Sequence, residues 1–319
     1  MATPPTAPPI GGGTALAGVL GDPVRHSLSP AMHNAAIAAL GLDWVYLALP
    51  VAAAELALVL RALEAIDCRG LNVTLPHKQA AAALAAELTP LARRLGAVNT
   101  LVRREGGGWL GTNTDVEGFL APLRQAAPHG GGTGDALPRP WAEREALVLG
   151  CGGSARAVVA GLVELGLARI RVAGRDGASL KRFVDACASW APRLDPLAWE
   201  QEPPEASGPL ATALASSDLV VNTTPVGMAS RSDPTAADRS PLRPDQLEAL
   251  PAGATVYDLI YTPRPTALLR LARERGCTAI DGLEMLVQQG AASLRLWSGR
   301  RDVPVDAMRA AALARLEGP

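Results

Sequence analysis

The stretch from Ala146 to Arg175 constrains this chain most. An apolar run, Ala146-Leu147-Val148-Leu149, ends in Gly150-Cys151-Gly152-Gly153-Ser154-Ala155-Arg156, passes into an apolar-periodic segment at 154–166, and continues into a second apolar run at 169–175. Strand, glycine turn, helix and strand in that order read as one βαβ unit, which requires a parallel sheet. The glycines let the backbone turn tightly and come close to a pyrophosphate. The helix start behind them offers free N–H groups and partial positive charge to phosphates. Ala155 stands where the G-x-G-x-x-G fingerprint has its third glycine, and alanine is small enough for the same packing. An ordinary tight βα turn is the alternative; the complete βαβ context favours a dinucleotide.

The end of the second strand bears on which dinucleotide. A carboxylate there would bind the ribose 2′-OH of NAD, and an arginine would accommodate the 2′-phosphate of NADP. The residues are Ala173-Gly174-Arg175-Asp176. Arg175 favours NADP, with a solvated turn arginine as the alternative. Asp176 stands beside it and would repel a phosphate, so NAD stays possible.

The rest of the chain alternates in the same way. Strands are expected at 15–20, 44–51, 69–76, 218–224 and 254–260. Helices are expected at 29–40, 54–66, from His77, at 116–126, 283–298 and 304–317, and a hairpin joins 99–104 to 109–114. This is an α/β pattern with mainly parallel sheets. Ser29-Pro30 reads as an N-cap followed by a first-turn proline. Residues 1–14 read as a disordered tail, 128–140 as a flexible insertion, and 201–209 and 228–245 as loops. At 319 residues, 48% hydrophobic and 19% charged with net charge -1, the chain has the size of two domains and ample core. The near-zero charge argues against nucleic acid. Four scattered cysteines fit neither a disulfide framework nor a structural metal. The N-terminus reads as no secretion signal and no run is long enough for a membrane helix. The scattered cysteines suggest a reducing cytoplasm, so a cytoplasmic protein is expected.

Polar residues gather at strand ends in the first half, where α/β sheets place ligands. Ser27 and Ser29 follow the first strand. A capping role explains Ser29 and none is evident for Ser27. Thr74 and Lys78 lie in Asn72-Val73-Thr74-Leu75-Pro76-His77-Lys78, and of 30 basic residues only Lys78 and Lys181 are lysines. Lysine's compact ammonium adjusts its pKa where arginine's guanidinium does not. Asn99 lies in Ala97-Val98-Asn99-Thr100, and Asp115 closes Thr112-Asn113-Thr114-Asp115 before a helix, where an N-cap is its competing reading. Hydroxyls, an amide and a lysine beside a carboxylate suit a small polyhydroxylated acid whose carbonyl receives a hydride and a proton.

These segments, together with Asn222-Thr223-Thr224-Pro225-Val226-Gly227-Met228, Tyr257-Asp258-Leu259-Ile260-Tyr261 and Asp281-Gly282-Leu283-Glu284-Met285-Leu286-Val287-Gln288-Gln289, run in family order over nearly the whole chain. The sequence resembles the shikimate dehydrogenase family. The resemblance implies a substrate-binding domain of 15–115 and 283–319, an NADP-binding Rossmann-like domain of 116–282, and a cleft between them. It implies reversible NADPH-dependent reduction of 3-dehydroshikimate to shikimate, on the route to chorismate and aromatic amino acids. Lys78 and Asp115 would be the catalytic pair. Ser27 and Ser29 would hold the carboxylate, and Thr74, Asn99, Tyr261 and Gln289 the ring and its hydroxyls. Gly150, Cys151, Gly152, Gly153, Ser154, Gly174, Arg175 and Asp176 would carry the dinucleotide, with Thr224, Leu259 and Gly282 on the nicotinamide side. Tyr261 as a packing residue and Gln289 as a solvent-facing one are the competing readings, with Gln288 as neighbour. The rival functions are an NAD-using quinate/shikimate dehydrogenase and a non-catalytic dinucleotide-binding regulator. Monomer and homodimer both fit.

Overall fold

The computed structural model describes residues 9–125, 139–199, 208–229 and 233–317. Residues 1–8 of the expected tail, most of the expected insertion, and parts of the two expected loops lie outside them. The chain divides into two units, Met1–Gly118 with Leu286–Pro319, and Phe119–Met285. The divisions fall inside two helices, α5 (Asp115–Gln125) and α11 (Leu283–Ser298).

The first unit holds β1 (Ala15–Gly21), β2 (Trp44–Pro50), β3 (Gly70–Val73), β4 (Glu87–Leu88), β5 (Thr100–Arg103) and β6 (Trp109–Thr112) in the order β2-β1-β3-β5-β6-β4. Strand β1 pairs in parallel with β2 and β3, and β5 is antiparallel to both β3 and β6. Its helices are α1 (Ser29–Ala39), α2 (Leu56–Ala65), α3 (Lys78–Leu84), α4 (Pro90–Leu95), the start of α5, most of α11, and α12 (Val305–Glu317). Leu20, Leu56, Leu71, Leu101 and Trp109 lie in one buried cluster. Gly70 is required where it stands: a Cβ there would lie 2.1 Å from Nε1 of the Trp297 indole of α11. That indole N–H donates to the Leu101 carbonyl at 3.0 Å.

Two local expectations change here. Ser29 is the first helical residue and not the N-cap; Leu28 holds that position, and no side chain caps it. Ser27 takes over part of the work, its Oγ accepting the Ser29 N–H at 3.2 Å. Likewise Asp115 opens α5 without capping it, because Asn113 Oδ1 accepts the Asp115 N–H at 3.0 Å.

The second unit holds β7 (Glu145–Leu149), β8 (Arg169–Gly174), β9 (Leu194–Ala198), β10 (Leu219–Asn222), β11 (Thr255–Asp258) and β12 (Thr278–Ile280), all parallel, in the order β12-β11-β10-β7-β8-β9. Its helices are α6 (Gly153–Leu165), α7 (Gly177–Cys187), α8 (Pro209–Ala215), α9 (Pro244–Leu247) and α10 (Ala267–Glu274). Numbered within the unit, this is the doubly wound order 3-2-1-4-5-6. Its switch point falls between β7 and β10, where such sheets bind ligands beyond the strand ends. The expected loop 228–245 carries a short 3-10 turn, Pro234–Asp238, and the first residues of α9. No helix among the described residues is long and apolar enough to cross a membrane.

Candidate active site

In the first unit, Lys78 opens α3 just past β3, and Asp115 opens α5 just past β6. Their side chains meet: Lys78 Nζ lies 2.6 Å from Asp115 Oδ2, and both are largely shielded from solvent. The other carboxylate oxygen, Oδ1, accepts from Asn99 Nδ2 at 2.8 Å. Asn99 has no freedom to turn over. Its Oδ1 accepts the fixed backbone N–H of Thr114 at 2.8 Å, which leaves Nδ2 facing Asp115. Gln289 on α11 completes the group. Its Nε2 donates to the Leu286 carbonyl at 2.8 Å, so its Oε1 faces Asn99 Nδ2 at 3.4 Å. Four of the expected site residues, Lys78, Asp115, Asn99 and Gln289, are therefore joined by hydrogen bonds.

Beneath them lies a buried polar network that the sequence reading did not find. Ser293 Oγ donates to the Gln289 carbonyl at 3.0 Å and stands 2.8 Å from Thr100 Oγ1 and 3.2 Å from Thr114 Oγ1. Asn72 Nδ2 donates to it at 2.9 Å. Asn72 Oδ1 in turn accepts from the Tyr46 phenol at 2.7 Å, and burial holds that phenol's pKa well above its ordinary value. Buried networks of this kind rigidify when every member is satisfied. Ser29 is buried and Ser27 half-buried at the end of β1, and Thr74 is half-buried at the end of β3. Thr74 packs against the backbone of Gly21, where a Cβ would lie 2.5 Å from its methyl. Tyr261 belongs to the second unit, half-buried just past β11, its phenol pKa raised by burial.

The other expected residues lie in the second unit at the strand ends. Gly150, at φ +99, makes the turn out of β7; a Cβ there would meet Thr223 Oγ1 and Thr224 Cγ2, both at 2.9 Å. Among the described residues, nothing beyond the adjoining chain lies within 4 Å of where a Cβ of Gly152 or Gly153 would sit, so the backbone is open to a close-approaching group. Gly152 is the N-cap of the 13-residue helix α6 and, as a glycine, brings no capping side chain to it. An open glycine turn running into an uncapped helix N-terminus at the switch point fits a dinucleotide pyrophosphate. Ser154 is exposed beside it, and Cys151 is half-buried with its thiol pushed up, first by burial and then by the Asp176 charge.

Gly174 ends β8, and Arg175 is exposed just beyond it. Asp176 is the N-cap of α7, its carboxylate accepting the Ser179 N–H at 2.8 Å. Hydrogen bonds from Ser179 lower its pKa. Its charge is thus engaged by the helix start, and Arg175 is left as the exposed cation of this turn.

Thr224 and Leu259 follow β10 and β11. Thr224 N and Oγ1 both donate to Asn222 Oδ1, at 3.0 and 2.7 Å. Asn222 Nδ2 donates to Asp258 at 2.9 Å. Asp258 is fully buried and also accepts from the Ile260 N–H at 3.2 Å and the Thr266 hydroxyl at 2.7 Å. Burial pushes its carboxyl up to about 6, against the downward pull of these three bonds. Gly282 packs on the Leu259 backbone and donates its N–H to the Ile260 carbonyl at 3.1 Å. Asn222 and Asp258 lie inside motifs visible in the sequence, but that reading assigned them no role.

Residues 19–101 match the model of the shikimate dehydrogenase substrate binding domain, and residues 282–313 that of the shikimate 5′-dehydrogenase C-terminal domain. The shikimate dehydrogenase (NADP(+)) of Synechococcus sp. (strain JA-3-3Ab) is 48% identical over 307 residues, 96% of this chain and 96% of that protein. The solved shikimate 5-dehydrogenase of Thermus thermophilus, in complex with NADP(H) and shikimate, is 34% identical with a TM-score of 0.77 and covers 95% of this chain and 100% of its own. That of Listeria monocytogenes, in complex with shikimate and NAD, is 31% identical with a TM-score of 0.79 and covers 94% and 97%.

Proposed function

This chain belongs to the shikimate dehydrogenase family, and we propose that it catalyses the reversible NADPH-dependent reduction of 3-dehydroshikimate to shikimate. The observation that carries this reading is the shielded Lys78–Asp115 pair at the strand ends of the first unit, with Asn99 and Gln289 bonded around it. We assign 15–115 and 283–319 to the substrate and 116–282 to the cofactor.

NADPH, when bound, supplies the hydride to the carbonyl carbon. As the C=O bond becomes C–O, negative charge builds on oxygen. The Lys78 ammonium stabilises that charge and passes a proton to it; in reverse, Lys78 takes the proton back. Asp115 holds Lys78 by one oxygen and is itself held by Asn99 through the other, so the donor is placed before substrate arrives. Ser27 and Ser29 hold the substrate carboxylate, and Thr74, Asn99, Tyr261 and Gln289 its ring and hydroxyls. Gly150 through Ser154 receive the pyrophosphate, Gly174, Arg175 and Asp176 the adenosine end, and Thr224, Leu259 and Gly282 the nicotinamide end. Arg175 favours NADP as the exposed cation at the end of β8; the neighbouring Asp176 carboxylate caps α7.

The test is absorbance at the nicotinamide band, with shikimate or quinate and NADP⁺ or NAD⁺. Rapid reduction with shikimate and NADP⁺ alone is the expected result. Arg175→Ala should lower the preference for NADP⁺ over NAD⁺ about tenfold, the scale of one lost charge-assisted hydrogen bond. Turnover of quinate or preference for NAD⁺ would move the enzyme to the quinate/shikimate branch. No turnover with any pair would favour a non-catalytic binder.

The open glycine turn gives a second test. Gly152→Ala adds a methyl where, among the described residues, nothing beyond the adjoining chain stands within 4 Å. Stability should stay within about 0.5 kcal/mol of the parent. Affinity for NADP⁺ should fall about tenfold, because the methyl occupies the approach of the pyrophosphate. Unchanged affinity in calorimetry would remove Gly152 from the cofactor site.

A further inference from the structure

Asp258 is a fully buried carboxylate for which the proposed reaction has no use. A buried charge is costly unless it is paired or well hydrogen-bonded. Among the described residues no Lys, Arg or His makes an ion pair with it. What it has is three donors from three segments: Asn222 Nδ2 at the end of β10, the Ile260 N–H just past β11, and the Thr266 hydroxyl at the start of α10.

Each donor has its direction fixed. Asn222 Oδ1 is occupied by the N–H and hydroxyl of Thr224, so its amide nitrogen must face Asp258. Ile260 offers a backbone N–H, which cannot turn over. Thr266 Oγ1 accepts the Leu269 N–H at 3.4 Å as the cap of α10, so its own proton is free to point at Asp258. An asparagine at 258 would present one oxygen and one NH₂. It would satisfy Asn222 and Ile260 and leave the Thr266 proton without an acceptor. Of side chains this size, only a carboxylate accepts all three.

The two segments so joined are those assigned above to the nicotinamide. Thr224 hangs on Asn222, and Leu259 lies between Asp258 and Ile260. We infer that Asp258 is a positioning residue for the nicotinamide end of the cofactor site, fastening Thr224 through Asn222 and Leu259 through the Ile260 N–H into one fixed wall. The inference rests on the cofactor reading above. The raised carboxyl pKa agrees with it, as a group kept at some cost in burial.

The experiment is calorimetric titration of the whole protein with two ligands: NADP⁺, and adenosine 2′,5′-bisphosphate, which has no nicotinamide. Asp258→Ala and Asn222→Ala are compared with the parent; Asn222→Ala keeps the test open if Asp258→Ala fails to fold. Loosening only the nicotinamide wall should weaken NADP⁺ about tenfold in each variant that folds, and leave the bisphosphate within about twofold. A general loss of structure would weaken both ligands alike, and that result overturns the proposal. So does NADP⁺ affinity that stays at the parent value. A parent protein that binds neither ligand defeats the cofactor reading itself, and this inference with it. A parent that binds both, with flat variants, defeats only the role of Asp258.

Discussion

Replacing Lys78 with alanine should lower kcat by about 10²- to 10⁴-fold, the usual contribution of a positioned general acid. The substrate KM should change far less, because Ser27, Ser29, Thr74, Asn99 and Gln289 remain. Lys78→Arg is the sharper variant. Guanidinium keeps the positive charge beside Asp115, but it does not give up a proton in the accessible pH range. If Lys78 served only as a charge, arginine would restore much of the rate. The proton-transfer role predicts that it does not, and that kcat stays at least about a hundredfold down. Removing Lys78 also strips Asp115 of its cation at 2.6 Å, so a thermal melt must accompany the kinetics. Near-parent turnover in Lys78→Ala, in protein that melts normally, would end the assignment of the catalytic pair.

What the sequence shows and what it hides follow the physics of each element. The glycine turn after β7 was legible because its demands are local: a positive φ at Gly150, and open space at Gly152 and Gly153. Lys78 stood out because the chain otherwise uses arginine almost throughout. The strands that went unread, β4, β9 and β12, have a common feature: each is the last strand at an edge of its sheet. Edge strands lie outside the doubly covered interior, so they need no continuous apolar run. Two of them have only two and three residues, and β9, Leu-Asp-Pro-Leu-Ala, carries a proline that an edge tolerates. The edge strand β2 was legible because Trp44–Pro50 is apolar throughout.

The polar network under the site was illegible for a different reason. Ser293 is bonded to Asn72, 221 residues away, and Tyr46 to Asn72 across 26. Asn72 lies inside a segment the sequence singles out, but nothing there points to Ser293 or Tyr46, which look like ordinary helix and strand residues. Ser27 shows the reverse error. Its local role, accepting the Ser29 N–H, depends on a turn geometry that residue type alone does not announce. Neither case changes which residues surround Lys78, whose side chain is held by Asp115.

Gly282→Ala should cost stability and cofactor binding together. A Cβ at Gly282 would lie 2.0 Å from the Leu259 carbonyl oxygen and 2.4 Å from its carbon. Both obstacles are backbone, so no rotamer change relieves the contact. The turn into α11 and the end of β11 must separate, breaking the Gly282 N–H bond to Ile260. Overpacking of this kind costs about 3 kcal/mol, which a melt resolves easily. The same separation displaces Leu259, so NADP⁺ should bind at least about tenfold more weakly. Gly152→Ala should instead lose affinity at unchanged stability, because its methyl meets ligand and not protein. Comparing the two tests two different reasons for a glycine in this unit: at 152 the proposed approach of a phosphate, at 282 the contact of two backbone segments. A Gly282→Ala protein that melts like the parent would mean that the two segments do not touch in solution, and would remove Gly282 from the nicotinamide wall.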